Sequence, residues 1–227
     1  MAFRNKAHFI LAKLPDILIV PECEHPDKLI FKDGTKIPED IFWHGSNPNK
    51  GLGIFSYSNY KFKLLDCYNP ELKTILPLLV TGGEIDFTLF AICAYNEDDK
   101  PNQYIGQVWK AIHHYDSILN DGKIILAGDF NSNKIWDQKH RKGNHSDVVD
   151  ILKGKDICST YHGYSNQEQG AEEHPTFYMY RHKDKPYHID YIFASLDFMK
   201  SLVNVEVGEY NEWIQHSDHM PVMCSFK

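Results

Sequence analysis

Short apolar runs, each closed by turn residues, recur along the chain at 16–21, 52–57, 62–67, 87–94, 123–127, 187–194, 202–207 and 220–226. Runs of this length and bounding predict strands. Three stretches follow helical spacing instead. Over 5–14, Phe9, Ile10 and Leu14 fall together and Pro15 stops the helix. Over 102–120, Ile105, Val108, Trp109, Ile112, Tyr115 and Leu119 form one apolar face, and Asp121-Gly122 ends it. Over 146–152, Ser146 is the expected cap and Val148, Val149 and Leu152 the buried face. Many short strands with few helices predict two sheets packed face to face with helices outside, an α+β sandwich rather than an alternating parallel fold. No repeat or linker interrupts the pattern, so residues 1–227 are expected to form one domain.

Composition agrees with a sizeable core: 42% of residues are hydrophobic, 13% aromatic and 24% charged. A net charge of −7 argues against broad, charge-driven binding to nucleic acid, which draws on a basic surface to displace counterions. It leaves a nuclease open, because catalytic carboxylates lower the net charge and a bound metal inverts the local field. The cysteines number five and are scattered without a CxxC pair, so reduced thiols are expected rather than disulfides or a zinc site. With no leader and no apolar run long enough for a bilayer, the expectation is a cytoplasmic protein, a monomer with no membrane span.

Polar residues at the ends of apolar strands carry the candidate chemistry. The run Ile19-Val20-Pro21-Glu22-Cys23-Glu24 ends in carboxylates; alternation puts Glu22 and Glu24 on one side and Cys23 in the core, and two neighbouring acids call for a cation or a shared proton. A solvated strand end is an equal alternative. In Ile124-Ile125-Leu126-Ala127-Gly128-Asp129-Phe130-Asn131, Gly128 permits a tight change of direction before Asp129 and Asn131, which are spaced to converge; turn chemistry explains the same residues. In His188-Ile189-Asp190-Tyr191-Ile192-Phe193, an acid inside an apolar strand needs a partner, and histidine is the natural one, in a site or in a structural pair. In His216-Ser217-Asp218-His219, adjacent Asp218 and His219 point in different directions, one suited to metal and the other to phosphate. Zinc spacings are absent, and carboxylate and amide oxygens suit Mg2+ or Mn2+.

Taken in order, these segments resemble the signature of the endonuclease/exonuclease/phosphatase superfamily, which includes deoxyribonuclease I and exonuclease III. Pro15-Asp16-Ile17-Leu18-Ile19-Val20-Pro21-Glu22 is similar to its "PDIL…QE" strand, and Gly51-Leu52-Gly53-Ile54-Phe55-Ser56 to its "GxAIxS" strand. Gly128-Asp129-Phe130-Asn131, His174-Pro175-Thr176-Phe177, Ile189-Asp190-Tyr191-Ile192-Phe193 and Ser217-Asp218-His219 resemble its "GDFN", "PT[FY]", "[IL]DYIF" and "SDH" motifs. The resemblance implies a deoxyribonuclease I-like four-layer α/β/β/α sandwich with its site where the strand ends of two sheets meet. It implies a metal on Glu22 with Asp218 contributing, and Asp129 and Asn131 on the attacking water. His219, its tautomer fixed by Asp190, then stabilises the phosphoryl charge or acts as acid/base, the role of base falling jointly to His219 and Asp129, and Tyr95 and Asn96 stand on the substrate side. The family's usual first strand, ending in an asparagine, has no counterpart before Phe3-Arg4, so the fold is expected to lack it.

Other residues divide between substrate contact and surface. Arg181 and His182 flank a strand at 176–180 and are candidate phosphate contacts; Trp136 and Tyr164 are candidate base-stacking rings. His113, His114, His140 and His145 are expected at the surface, and 165–173 as a flexible acidic loop near the site. The leading function is a metal-dependent phosphodiesterase acting on nucleic acid. The alternatives are an enzyme for small or lipid-derived phosphate esters, or a non-catalytic member in which the absent strand has cost the site its activity.

Overall fold

A computed structural model describes residues 3–31 and 34–227; Met1, Ala2, Lys32 and Asp33 lie outside them. The elements in chain order begin with α1 (Phe3–Leu11), β1 (Ile17–Cys23), β2 (Asp40–Asn47), β3 (Lys50–Ser56), β4 (Lys61–Leu64), β5 (Ile75–Thr81) and β6 (Phe87–Cys93). There follow α2 (Ile105–His114), α3 (Asp116–Leu119), β7 (Ile124–Asp129), α4 (His145–Lys153), β8 (Ile157–Ser159), α5 (Thr160–Ser165), β9 (Phe177–Tyr178) and β10 (Pro186–Tyr187). The chain closes with β11 (Asp190–Ser195), α6 (Leu196–Ser201), β12 (Leu202–Val207), α7 (Tyr210–Trp213) and β13 (Val222–Phe226).

A six-stranded sheet in the order β4-β5-β6-β7-β11-β8 is the backbone of the fold. Among the described residues only β6 and β7 pair in parallel, joined through α2 and α3, as a crossover connection requires. Strand alternation gives this sheet two apolar faces. Phe90, Ile92, Leu126, Tyr191 and Phe193 point to one side and pack against α2 and α4. Leu89, Ala91, Ile125, Ala127 and Ala194 point to the other, where Leu52 and Ile54 of β3 meet them. Leu52 and Ile54 are fully enclosed, each contributing roughly 1.5–3 kcal/mol of burial.

The opposing strands come in two pieces, β1-β3-β2 and β12-β13. Among the described residues the outer edge of β1 and that of β13 have no strand partner, and a groove floored by Leu89, Ile125 and Ile192 runs between them into the site. Helix α1 covers the far side: Phe3, Ala7, Ile10 and Leu11, at the spacing of one helical face, bury against Phe55, Trp213 and Met220. The layers are therefore α/β/β/α.

Local departures have identifiable causes. The long helix divides at Tyr115, whose ψ of 22° breaks it into α2 and α3. Helix α4 is capped by Asn144 in a capping box with Asp147, not by Ser146. Leu14 lies past α1 in a left-handed conformation and is exposed, so Phe3 and Ala7 supply the buried face expected of Phe9 and Leu14. Strand β5 carries Pro77 at its centre, tolerated because the ladder to β4 starts only at Leu64↔Leu78.

Candidate active site

The strand ends that point toward the open groove gather the polar residues. Register places Asp190 of β11 opposite Asp129 of β7, and Cys93 of β6 beside Asp129, so three neighbouring strands end at one level. Gly128 has φ +136°, and a Cβ there would run into the carbonyl of Ile92 on β6; only glycine lets β7 turn Asp129 into the cleft. Asn131 follows with φ +48°, a conformation asparagine tolerates. Its backbone N–H donates to Asp129 Oδ1 at 2.8 Å and its amide to Oδ2 at 2.8 Å, so both carboxylate oxygens are oriented by one residue.

His219 reaches the same point from the segment before β13. Its Nδ1 lies 2.9 Å from Asp190 Oδ2, which leaves Nε2 for the cleft. Thr176, fully buried, holds this arrangement: its hydroxyl accepts from the N–H groups of Ile189 and Asp190, and its carbonyl accepts from Met220 N–H at 2.7 Å. Tyr178 N–H donates to the Asp218 carbonyl at 2.8 Å, fastening the next residue pair.

One ligand atom from each of Asp129, Asp190 and His219 lies within 4.8 Å of the others, an acidic cluster whose field would draw a divalent cation to the carboxylates around it. The electrostatics point the same way. Burial, with the Asp190 charge beside it, pushes the Asp129 carboxyl up to about 7. At His219 burial opposes the charged imidazole, but Asp190, Asp129 and Asp218 outweigh it and push the pKa up to about 9. The cluster thus holds more negative charge than it neutralises by itself.

Glu22, Tyr95, Asp129, Asn131, Asp190, Asp218 and His219 all line the cleft. Glu22 and Asp218 are not in the compact group of Asp129, Asp190 and His219 and stand around it. Glu22 and Glu24 do not share a side as the alternation predicts. A bulge between Val20 and Cys23, with Glu22 at φ +55°, sends Glu22 to the cleft rim, where Lys50 Nζ lies 2.7 Å from Oε1. Glu24 is buried and serves α1, accepting from Phe3 N–H at 2.7 Å and pairing with Arg4 at 2.5 Å.

Other expectations are corrected. Asn96 is buried away from the cleft, its amide donating to the Glu71 carbonyl and Gln107 Oε1. Arg181 and His182 are not among the cleft-lining residues; Arg181 donates to the Gln215 carbonyl and His182 faces Asp184. His145 is buried, its Nε2 at 2.9 Å from Gln169 Oε1. The 165–173 segment is anchored: the Glu172 carboxylate accepts from Asn133 and Gly170 and meets His162 at 3.1 Å, and these bonds overcome burial to hold its pKa at about 2. His188, in the short link between β10 and β11, bonds the His174 carbonyl instead.

The pattern left Asn133 and Lys50 unmarked. Asn133 Nδ2 donates to Glu172, the His188 carbonyl and Tyr191 Oη, tying the loop after Asp129 to the strand that carries Asp190. Its signal was the Asn-Ser-Asn spacing after Asp129, which reads equally as turn chemistry. Beside His219 neighbouring rings form an aromatic ledge: Phe177 lies 4.7 Å from His219, Tyr187 6.5 Å from Phe177, and exposed Trp136 4.9 Å from Tyr187.

No protein-family model matches the sequence, and no curated protein matches it. Solved structures do match. A 3' phosphatase from Neisseria, NExo, bound to product DNA hairpin, is 19% identical over 100% of this chain and 96% of its own, with a TM-score of 0.63. An AP endonuclease from Archaeoglobus fulgidus is 18% identical over 100% and 96%, TM-score 0.63. The AP endonuclease LMAP from Leishmania major is 14% identical over 97% and 81%, TM-score 0.67. The chain has the fold of these proteins, the deoxyribonuclease I-like sandwich. Among the described residues no helix is long and apolar enough to cross a membrane.

Proposed function

We propose that this chain is a divalent-metal-dependent phosphoesterase that hydrolyses phosphodiester bonds in nucleic acid. The observation that carries the reading is the convergence of Asp129, held by Asn131, with the Asp190–His219 pair on one cleft. Asp129, with a pKa near neutrality, takes the proton of an attacking water that Asn131 helps to hold. His219, kept charged by Asp190, presents Nε2 to a non-bridging oxygen and stabilises the charge that grows on phosphorus. Glu22 would hold Mg2+ or Mn2+, with Asp218 as the further carboxylate, and the ion supplies charge neutralisation on the phosphoryl group.

The aromatic ledge from His219 to Trp136 favours a nucleic acid, since successive bases stack on such rings. The DNA hairpin bound to the Neisseria 3' phosphatase accords with that substrate class. A small phosphate ester is the second reading, favoured by the pairing of several cleft cations: Arg4, Lys13 and Lys73 are each paired to an acid. Incubation with Mg2+ and parallel DNA, RNA and small phosphate esters decides between them. Nucleic-acid turnover that EDTA abolishes and that Asp129→Ala or His219→Ala removes is the expected result. Wild-type rates in either variant, or turnover of small esters alone, would overturn the proposal.

A further inference from the structure

Lys50 is the first residue of β3, next to the pair Cys23↔Gly51, and its Nζ reaches diagonally across the bulge to within 2.7 Å of Glu22 Oε1. The bulge that ends β1 and the turn that starts β3 both have to be in place for this contact, so it belongs to the fold and not to a chance surface encounter. Both side chains are open to solvent, 57% exposed for Lys50 and 63% for Glu22. Ion pairs this exposed are weakly held and exchange readily.

Four of the other cations on the cleft wall are committed elsewhere. Arg4 is bound to buried Glu24, Lys13 to Glu206 and Lys73 to Asp98, while Lys6 is enclosed and donates to Ser217 Oγ. Lys50 differs in that its partner is an exposed carboxylate of the cleft, on the rim that also carries exposed Tyr95. An ammonium on a four-carbon stem offers a movable point charge with three donors, well suited to a phosphate oxygen.

We propose that Lys50 is a substrate-binding residue kept on Glu22 in the cation-free protein: its ammonium neutralises that carboxylate, yields it to a divalent cation, and then binds a non-bridging oxygen of the phosphodiester. This rests on the phosphoesterase reading above and adds a competition to it. Lys50 and the cation contend for one carboxylate, so removing the ammonium strengthens cation binding and weakens substrate binding. A lysine that merely stabilised the β1–β3 junction would move neither in this way.

The test measures free Mn2+ by electron paramagnetic resonance, without substrate, for wild type, Lys50→Gln, Lys50→Arg and Glu22→Gln/Lys50→Gln. Kinetics with bis-p-nitrophenyl phosphate and thermal melts accompany it. In Lys50→Gln the Mn2+ dissociation constant is expected to fall about fivefold, by loss of a neighbouring positive charge. KM is expected to rise about tenfold, with kcat changed by less than about threefold. Lys50→Arg is expected to retain KM within about threefold, because the charge remains. In the double variant the gain in Mn2+ affinity disappears. Unchanged or weaker Mn2+ binding in a folded Lys50→Gln, or an unchanged KM, overturns the role of Lys50 while leaving an active wild type as evidence for the enzyme. A wild type that neither binds Mn2+ nor turns over phosphodiesters overturns both.

Discussion

The imidazole of His219 is paired through Nδ1 to the carboxylate of Asp190, 2.9 Å from Oδ2 and 3.2 Å from Oδ1. The contact spans two sheets, since Asp190 opens a central strand of the larger sheet and His219 precedes β13. It fixes which ring nitrogen faces the cleft and keeps the ring charged well above the usual histidine range. If the imidazolium serves the reaction, activity falls as pH rises through about 9. In Asp190→Asn that alkaline fall is expected to move down toward about 6.5, with kcat lower by about 10²-fold or more. The check is a pH–rate profile of both proteins; an alkaline limb that stays in place contradicts the pairing's role.

Stability should carry the same signature. The folded pKa of His219 is raised from 6.5 to about 9, so its contribution is fully present below 6.5 and lost as pH rises through about 9. The folded pKa of Asp129 is raised from 3.8 to about 7, so the fold favours its protonated form. That contribution is present below 3.8 and lost as pH rises through about 7. Both act in one direction, and the protein is expected to lose stability between mildly acid and mildly alkaline pH. Asp129→Asn removes the buried charge: it should raise Tm by about 3 °C at pH 8, with a smaller gain at pH 5, while abolishing turnover. Thermal melts at the two pH values check it, and a lower Tm at pH 8 would count against a strained carboxylate.

Much of the fold was legible because the strands that form its centre are the most apolar runs in the sequence. β6, β7 and β11 pack on both faces and read directly as buried strands. Strand β2 escaped because its Phe42, Trp43 and His44 are only half covered, giving no clean period, and β5 because Pro77 argues against a central strand. Within the site, Asp129, Asp190 and His219 were legible as polar interruptions of such runs. Glu24 and Asn96 misled for a common reason: a polar residue at a strand end has the same sequence signature whether it faces substrate or satisfies the backbone. The bulge at Glu22 and the ion pair with Lys50 depend on register across two strands, which spacing along one strand does not contain.

Asn133 connects these parts mechanically. It is 2% exposed, its amide donates to Glu172 at 3.0 Å, to the His188 carbonyl at 2.9 Å and to Tyr191 Oη at 3.2 Å, and its Oδ1 caps Ile135 N–H. Asn133→Ala removes the shared donor of those three groups and leaves Ile135 N–H without its acceptor, and is expected to cost about 2–3 kcal/mol. Asn133→Asp keeps the shape but sets a second carboxylate against Glu172, and is expected to cost more than alanine. Urea unfolding of the three proteins orders them; a less destabilised aspartate variant would mean that Glu172 does not carry its charge.

The aromatic ledge offers the sharpest division between substrate classes. Phe177 lies 4.7 Å from His219 with the rings tilted, Tyr187 lies 6.5 Å from Phe177 with the rings inclined by 28°, and Trp136, 44% exposed, sits 4.9 Å from Tyr187. Trp136 is not among the residues that line the cleft, so it acts only on a substrate that extends past the reacting phosphate. Stacking of a base on such a ring is worth about 1–3 kcal/mol, so Trp136→Ala should raise KM for a single-stranded oligonucleotide roughly 5- to 100-fold. Bis-p-nitrophenyl phosphate, which ends at the cleft, should be hydrolysed by the variant at the wild-type rate. Equal losses on both substrates would make Trp136 a packing residue of the 133–137 turn. No loss on either would move the physiological substrate toward a compact ester that never reaches the ledge.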